Sequence, residues 1–297
     1  AGYNAANHLV EIAGWTEGIC LQGDLAFVAN THAGVRSVDV RDPARPRLLA
    51  RADTSGAARD VAVIGHSALV AVNDVGVQAF DVSEPTAMRR TGRVDFPEGA
   101  WQVHLGDGFA VTRPGRAAAH ADEDPAQPAR VLDLGQPDAP RVVATLPSVW
   151  AVAAAGRRAY LCHHGEDLTI YDMADPAAPR LLSTTELPRE HGYGPWPGGL
   201  AGDQTRVLVS PAWWLYAYDV TDPIAPVLAS ARPAACGNTA QARLVGDRLV
   251  RSCDDLDLVG PRAELMQLGP LVVDDVSDLS VPRQAGEPGE TADVADV

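Results

Sequence analysis

The sequence LTIYDMADPAAPRLL, residues 168–182, joins an alternating strand to a turn of two aspartates and a proline, and then starts a second strand. The same phrase returns as VDVRDPARPRLL at residues 38–49 and as YDVTDPIAPVL at residues 218–228. With three further copies, six aspartates anchor it at intervals of about 40–50 residues: Asp39, Asp81, Asp133, Asp172, Asp219 and Asp275. This period predicts an array of repeats that bury their faces against one another.

Each copy reads as four short strands that alternate with period two and are separated by tight turns. In the second copy, a turn at Gly65 separates the first two strands, and the Asn-Asp-Val-Gly sequence at residues 73–76 separates the next two. Such units predict an all-β fold, a β-propeller of six four-stranded blades, with seven blades as the alternative. The predicted units lie in one domain spanning residues 1–297 and cover about 15–53, 54–96, 97–147, 148–187, 188–233 and 234–289.

Both ends of the chain contain a segment that reads as an additional outer strand. Residues 8–12, HLVEI, precede the first unit, and residues 281–285, VPRQA, follow the sixth. One such strand is enough to complete six blades. We expect the N-terminal strand to join the sixth blade, so that both ends of the chain close the ring.

The repeated Asp-x-x-Asp-Pro turn has a mechanical explanation. Aspartate side chains accept backbone N–H groups in turns, and proline presets the backbone angle while it ends the hydrogen-bond ladder. The six anchoring aspartates are therefore interpreted as structural residues.

This pattern resembles the LVIVD-repeat family of bacterial and archaeal β-propellers, in which an apolar strand ends in Asp-Val-Ser-Asp-Pro. The matching stretches are residues 38–43, 170–176 and 275–278. The resemblance covers nearly the whole chain and implies the propeller architecture. It implies no particular activity, because propellers host many functions.

Composition and motifs restrict the partners and cofactors. The net charge of −15 argues against nucleic acid and anionic membranes as partners, and no apolar run approaches the roughly 20 residues needed to span a bilayer. No cofactor signature or metal-binding motif is present, so neither cofactor nor metal is predicted. Cys236 and Cys253 flank one hairpin, and whether they form a disulfide stays open. The cytoplasm is favoured unless that bond exists or a signal peptide was removed.

A candidate site emerges when the units are aligned on their first hairpin turns. The alignment places Glu17, Arg59, Trp101, Trp150, Trp196 and Ala240 at the first position of each innermost strand. Three tryptophans, one acid and one base would thus surround one opening, where they predict an apolar funnel. Packing of a wide channel by tryptophan is the alternative. Glu17 and Arg59 are either an acid/base pair, a polar clamp or a salt bridge between neighbouring blades.

Loops expected at the same end of the blades add further polar and aromatic candidates. These are His32, Asn73, His163, His191, Tyr193 and Trp213. With the residues above, they predict a site for a largely apolar small molecule. A cofactor-independent cyclase, isomerase or lyase fits best, with the tryptophans, Tyr193 and Asn73 binding substrate and Glu17, Arg59 and a histidine acting on it. The alternative is a non-catalytic propeller that binds a protein partner through the same aromatic and arginine side chains.

Overall fold

The structure is a computed structural model that describes ten stretches of the chain. They are residues 3–4, 9–10, 16–31, 33–115, 127–163, 167–188, 197–211, 214–234, 238–254 and 268–284. Within these stretches every regular element is a β-strand. None of them contains a helix long and apolar enough to cross a membrane.

The chain divides into two compact units, of which the first comprises Ala1–Ser148 and Asp175–Ala178. It begins with a short antiparallel pair, β1 (Tyr3–Asn4) and β2 (Leu9–Val10). Three four-stranded antiparallel sheets follow, here called blades 1 to 3. Their strands are β3 (Thr16–Gln22), β4 (Leu25–Asn30), β5 (Gly34–Asp39) and β6 (Arg47–Ala52); β7 (Ala58–Ile64), β8 (Ser67–Val72), β9 (Gly76–Asp81) and β10 (Arg89–Asp95); and β11 (Ala100–Leu105), β12 (Phe109–Pro114), β13 (Pro128–Asp133) and β14 (Arg141–Ser148).

The second unit comprises Val149–Ala174 and Pro179–Val297 and contains blades 4 to 6. Their strands are β15 (Ala151–Ala155), β16 (Arg158–His163), β17 (Asp167–Asp172) and β18 (Arg180–Glu186); β19 (Pro197–Gly202), β20 (Arg206–Pro211), β21 (Trp214–Asp219) and β22 (Val227–Pro233); and β23 (Asn238–Val245), β24 (Arg248–Asp254), β25 (Leu268–Asp275) and β26 (Arg283–Gln284). The predicted all-β propeller class with six four-stranded blades is confirmed. The structure does not support the seven-bladed alternative.

Within each unit, consecutive blades pack through their first strands and through apolar clusters. In the first unit β3 contacts β7 and β7 contacts β11, which makes these the inner strands. Val61 and Phe80 of blade 2 are buried against Phe27 and Val35 of blade 1. Each large apolar side chain buried in this way contributes about 1.5–3 kcal/mol. A blade without its neighbour would leave one such face in water.

The repeated turn is held as the sequence predicts. Asp172 Oδ1 accepts the backbone N–H of Ala174 at 3.0 Å, and Asp172 Oδ2 accepts a hydrogen bond from Arg180 at 3.1 Å. The same side-chain acceptor binds the backbone N–H two residues later in the other blades, in the pairs Asp39–Arg41, Asp81–Ser83, Asp133–Gly135, Asp219–Thr221 and Asp275–Ser277. The structural interpretation of the six aspartates is confirmed.

The outer strand of blade 6 differs from the expectation. It is β26, near the C-terminus, whereas residues 9–10 pair with residues 3–4. The prediction that residues 8–12 supply this strand is therefore wrong. β26 follows β25 after a short turn, and the cost of closing a loop rises with its length, so the local segment is favoured over one at the far end of the chain.

Candidate functional site

A β-bulge lies near the start of the inner strand in five of the six blades. The register with the second strand shifts at this point in blades 1, 2, 3, 5 and 6. The extra residue in each bulge is Glu17, Arg59, Trp101, Gly198 and Ala240, respectively. Bulges re-aim a side chain and are enriched beside functional sites. The aligned position at the start of the innermost strands, here called the column, thus coincides with a backbone irregularity in blades 1 to 3 and 6.

Blade 5 departs from that column. The register assigns Gly198 to the position where the sequence alignment had placed Trp196, and Trp196 itself lies outside the described residues. The alignment took Gly202 and Asp203 for the hairpin turn. In the structure Gly202 still pairs with Val207, because the Asp203 side chain accepts the N–H groups of Thr205 and Arg206 and moves the turn later.

Glu17, Arg59 and Trp101 come together although they belong to three different blades. Arg59 Nη1 donates a hydrogen bond to Glu17 Oε1 at 2.8 Å. The Arg59 guanidinium carbon lies 4.4 Å from the centre of the Trp101 ring, which is a cation–π contact. The side chains of Glu17 and Arg59 remain 23% and 19% exposed, so this cluster is accessible from water. We call these three residues the Arg59 cluster.

The backbone beneath the Arg59 cluster is rigidly held. Asp60, which is fully buried, accepts the N–H of Val61 at 2.9 Å and that of Val103 at 3.1 Å, and so ties blade 2 to blade 3. A Cβ on Gly18 would lie 2.7 Å from the Asp60 Cα, so only glycine permits this approach of β3 to β7. Thr31 adds a 3.1 Å hydrogen bond to Glu17 Oε1. The three side chains therefore project from fixed positions.

Arg59 has a hydrogen-bond donor that is not paired with any described residue. Its Nε atom is buried and has no hydrogen-bond partner among the described residues. Nη1 is directed at Glu17, and one face of the guanidinium is covered by Trp101. A guanidinium offers five N–H donors in a planar fork, so the edge formed by Nε and Nη2 lies away from the Glu17 contact.

Asn73 lies at the same end of blade 2 as the Arg59 cluster. Its backbone N–H donates to the Ala57 carbonyl at 2.9 Å, two residues before Arg59. Its side-chain Nδ2 donates to Asp74 Oδ2 at 2.8 Å, while its Oδ1 is buried without a partner in the described part of the chain. The backbone of Asn73 is therefore hydrogen-bonded close to Arg59, and its role in substrate binding stays a prediction.

Two other predicted site residues belong to the second unit. Trp150 donates its backbone N–H to the Cys162 carbonyl at 2.9 Å and is half-buried. His163 ends β16, and its Nε2 lies 2.9 Å from Thr169 Oγ1. Across the strand pair His163 faces Asp167, whose Oδ1 has no partner in the described stretches.

The remaining predicted residues lie outside the described stretches. They are His32, His191, Tyr193, Trp196 and Trp213. Cys236 also lies outside them, so the proposed pairing with Cys253 stays a prediction. Cys162 is a buried free thiol, and its burial raises the pKa of the thiol. The described residues contain no cluster of histidine, cysteine and carboxylate side chains that could hold a metal ion.

Sequence reasoning missed three polar residues near this end of the first unit. Thr31 and Asp60 support the Arg59 cluster as described above. Glu98, which is nearly buried, forms an ion pair with Arg130 of blade 3. The sequence contained one signal for such a residue, because Asp60 is a charged residue within the strand β7. Buried charges require specific partners.

Comparison with known proteins supports the architecture. The LVIVD repeat model matches residues 13–54, 55–96 and 148–185, so the chain contains three LVIVD repeats and the resemblance seen in the sequence is confirmed. No curated protein matches the chain.

Solved structures of similar fold are distant in sequence. A protein of unknown function from Desulfotomaculum acetoxidans shares 12% identity, with a TM-score of 0.67 over 93% of this chain and 87% of the other. A candidate 6-phosphogluconolactonase from Bacteroides fragilis shares 10% identity, with a TM-score of 0.63 over 91% and 83%. A chain of a mitotic checkpoint complex shares 13% identity, with a TM-score of 0.61 over 90% and 75%. At these identities the likeness shows the fold alone.

Proposed function

We propose that this LVIVD-repeat propeller binds a largely apolar small molecule at the Arg59 cluster. The observation that carries the proposal is the convergence of Glu17, Arg59 and Trp101 from three blades, with the guanidinium stacked on the indole and its Nε unused. Ligand sites combine aromatic surface with a few placed polar groups, and this cluster offers both.

The positions of these residues favour binding over a purely structural role. A structural arginine at a blade junction can place all its donors on backbone carbonyls, whereas Arg59 is held by side chains that stay partly exposed. Trp101 is half-buried, so part of a large apolar side chain remains in contact with water.

Substitution of Trp101 tests the proposal. Binding of neutral probes, 2-naphthamide and geranamide, is measured by isothermal titration calorimetry. Trp101→Leu should weaken binding by about 1–3 kcal/mol, because a large apolar contact is lost. Leu181→Ala is the matched control, since Leu181 is 52% exposed on the outer strand β18 and should leave binding unchanged. Equal affinity of Trp101→Leu and wild type would contradict the proposal.

The catalytic form of the proposal is a cofactor-independent cyclisation, isomerisation or elimination. Such reactions depend on shape and on placed charges, and Glu17 is the carboxylate in the cluster. With a ligand that is converted, Glu17→Gln should preserve binding and reduce turnover by about 10²-fold or more. Unchanged turnover in that variant would leave a binding protein and remove the catalytic form.

A further inference from the structure

The edges and faces of the Arg59 guanidinium lie in different surroundings. Trp101 covers one of its faces, with 4.4 Å between the guanidinium carbon and the ring centre. Glu17 occupies the Nη1 side at 2.8 Å. The opposite edge, formed by Nε and Nη2, is the one at which two parallel hydrogen bonds to a single carboxylate are made.

The state of Nε shows that this edge is unsatisfied. Nε is buried and has no hydrogen-bond partner among the described residues. A buried donor without an acceptor is unfavourable, because the group has lost its water and gained nothing in return. An acceptor that approaches along this edge removes that penalty, which a solvent-exposed arginine would not offer.

The guanidinium is also held in place before any ligand arrives. Thr31 and Arg59 both donate to Glu17 Oε1, at 3.1 Å and 2.8 Å, so the carboxylate that orients the guanidinium is itself oriented. The indole of Trp101 fixes the plane of the fork. A fork that is already ordered loses little side-chain entropy on binding, and it recognises a planar, two-oxygen acceptor better than a flexible ammonium does.

We infer that the ligand of the proposed site carries a carboxylate, which pairs with the Nε and Nη2 edge of Arg59 while its apolar body packs on Trp101. This inference rests on the proposed function and names the substrate class, an apolar monocarboxylic acid. Charge favours a monoanion over a phosphate. Glu17 already balances Arg59, the chain carries a net charge of −15, and a phosphate monoester would add up to two negative charges.

Matched acid and amide probes test the inference. The pairs are 2-naphthoate with 2-naphthamide and geranate with geranamide, which differ in charge but little in shape, and binding is measured by calorimetry at pH 7. In the wild type each acid should bind about tenfold or more tightly than its amide, the scale of a bidentate charged pair. Geranyl phosphate should bind less tightly than geranate.

Two variants test whether the preference for acid over amide depends on the Arg59 guanidinium. Arg59→Lys keeps the positive charge and loses the planar pair of donors, so the ratio of acid to amide affinity should fall to about threefold or less. Arg93→Lys, a change at a partly exposed arginine paired with Asp95 on the outer strand β10, is the matched control and should keep the wild-type ratio. A merely structural role of Arg59 would move both affinities together.

The outcomes distinguish the carboxylate inference from the proposed function on which it rests. Equal binding of acid and amide by the wild type, a wild-type ratio preserved in Arg59→Lys, or tighter binding of geranyl phosphate would overturn the carboxylate assignment and leave a small-molecule site intact. Failure of every probe to bind would overturn the proposed function itself. If Arg59→Lys does not fold, as judged by its melting temperature, the wild-type ratio alone decides.

Discussion

Arginines join neighbouring blades in both units, but they do so at opposite ends of the strands and with different partners. In the second unit, Arg158 Nη1 donates to the carbonyls of Gln204 and Val220, both at 2.7 Å. Arg206 likewise reaches the Val276 carbonyl at 2.8 Å and the Gly246 carbonyl at 2.6 Å. In the first unit, leucine, serine and phenylalanine occupy the equivalent start of the second strand, at residues 25, 67 and 109.

In the first unit, the arginine to be compared is Arg59, which lies at the start of the inner strand β7. Arg59 meets two side chains, Glu17 and Trp101, and leaves Nε without a described partner. Backbone carbonyls cannot be displaced by a ligand without disturbing the sheet, whereas an unused side-chain edge costs nothing to occupy. The difference in partner therefore separates arginines that join blades through backbone carbonyls from Arg59, which joins them through side chains and to which we assign the proposed ligand.

The largest effect is expected in the second unit, where a charge is buried completely. Asp274, fully buried on β25, accepts hydrogen bonds from Arg251 Nε at 2.8 Å and from Arg232, while Arg251 Nη1 lies 3.1 Å from Ser210 Oγ. Asp274→Asn removes the compensating charge and should lower the free energy of unfolding by about 3–5 kcal/mol, as measured by urea denaturation.

An exposed ion pair of the same unit provides the control for Asp274. Asp247 Oδ1 lies 2.9 Å from Arg206 Nη1, but its side chain is 65% exposed. Asp247→Asn should cost about 1 kcal/mol or less, because water replaces the lost contact. A loss as small for Asp274→Asn would show that the junction of blades 5 and 6 does not depend on its buried charge.

A smaller effect should distinguish Arg206 from Arg59 directly. Arg206→Met leaves the Val276 and Gly246 carbonyls without their donor, and the Arg206 side chain is only 12% exposed, so we expect a loss of about 1–3 kcal/mol. Arg59→Met frees a partly exposed Glu17 and removes an unsatisfied buried Nε, so its cost should be about 1 kcal/mol or less. Parallel urea titrations measure both; a larger loss for Arg59→Met would make Arg59 the structural residue and reverse the comparison.

The architecture could be predicted because the repeat determines it locally. The phrase around Asp172 contains its own turn, strand ends and Arg180 contact, and each copy repeats them with small changes. The outer strand of blade 6 was predicted wrongly because two segments, residues 8–12 and 281–285, have the same strand pattern. Chain connectivity, which favours the nearer segment, decides between them, and strand patterning does not contain it.

The position of the bulge residue was predicted correctly in blades 1 to 3 and 6 and wrongly in blade 5. Glu17, Arg59 and Trp101 occupy equivalent bulges in blades 1 to 3, and the sequence alignment found all three. In blade 5 the alignment missed Gly198, because the Asp203 side chain moves the turn. The contacts among the three side chains depend on how the bulges aim them, which strand periodicity does not specify.

The smallest predicted effect concerns acid, and it depends on the turns that both units share. Hydrogen bonds from Arg180 and from the Ala174 N–H hold the pKa of Asp172 below its ordinary value, and the pKa values of Asp133 and Asp275 are lowered by similar contacts. A carboxyl whose pKa is lower in the folded state stabilises the fold above its unfolded pKa of about 3.8, and this contribution is lost as the pH falls through the folded value. The free energy of unfolding should therefore change little with pH between about 7 and 5 on account of these groups, and it should decrease below about pH 4.

Asp172→Asn keeps an oxygen for the Ala174 N–H but cannot ionise, so its loss of stability relative to wild type should shrink as the pH falls. Urea titrations between pH 2 and 7 measure this, and a deficit that grows in acid would contradict it. Because the repeated aspartates occur in both units, the same trend for Asp133→Asn in the first unit would show that the two units share their turn chemistry and differ in where their arginines lie.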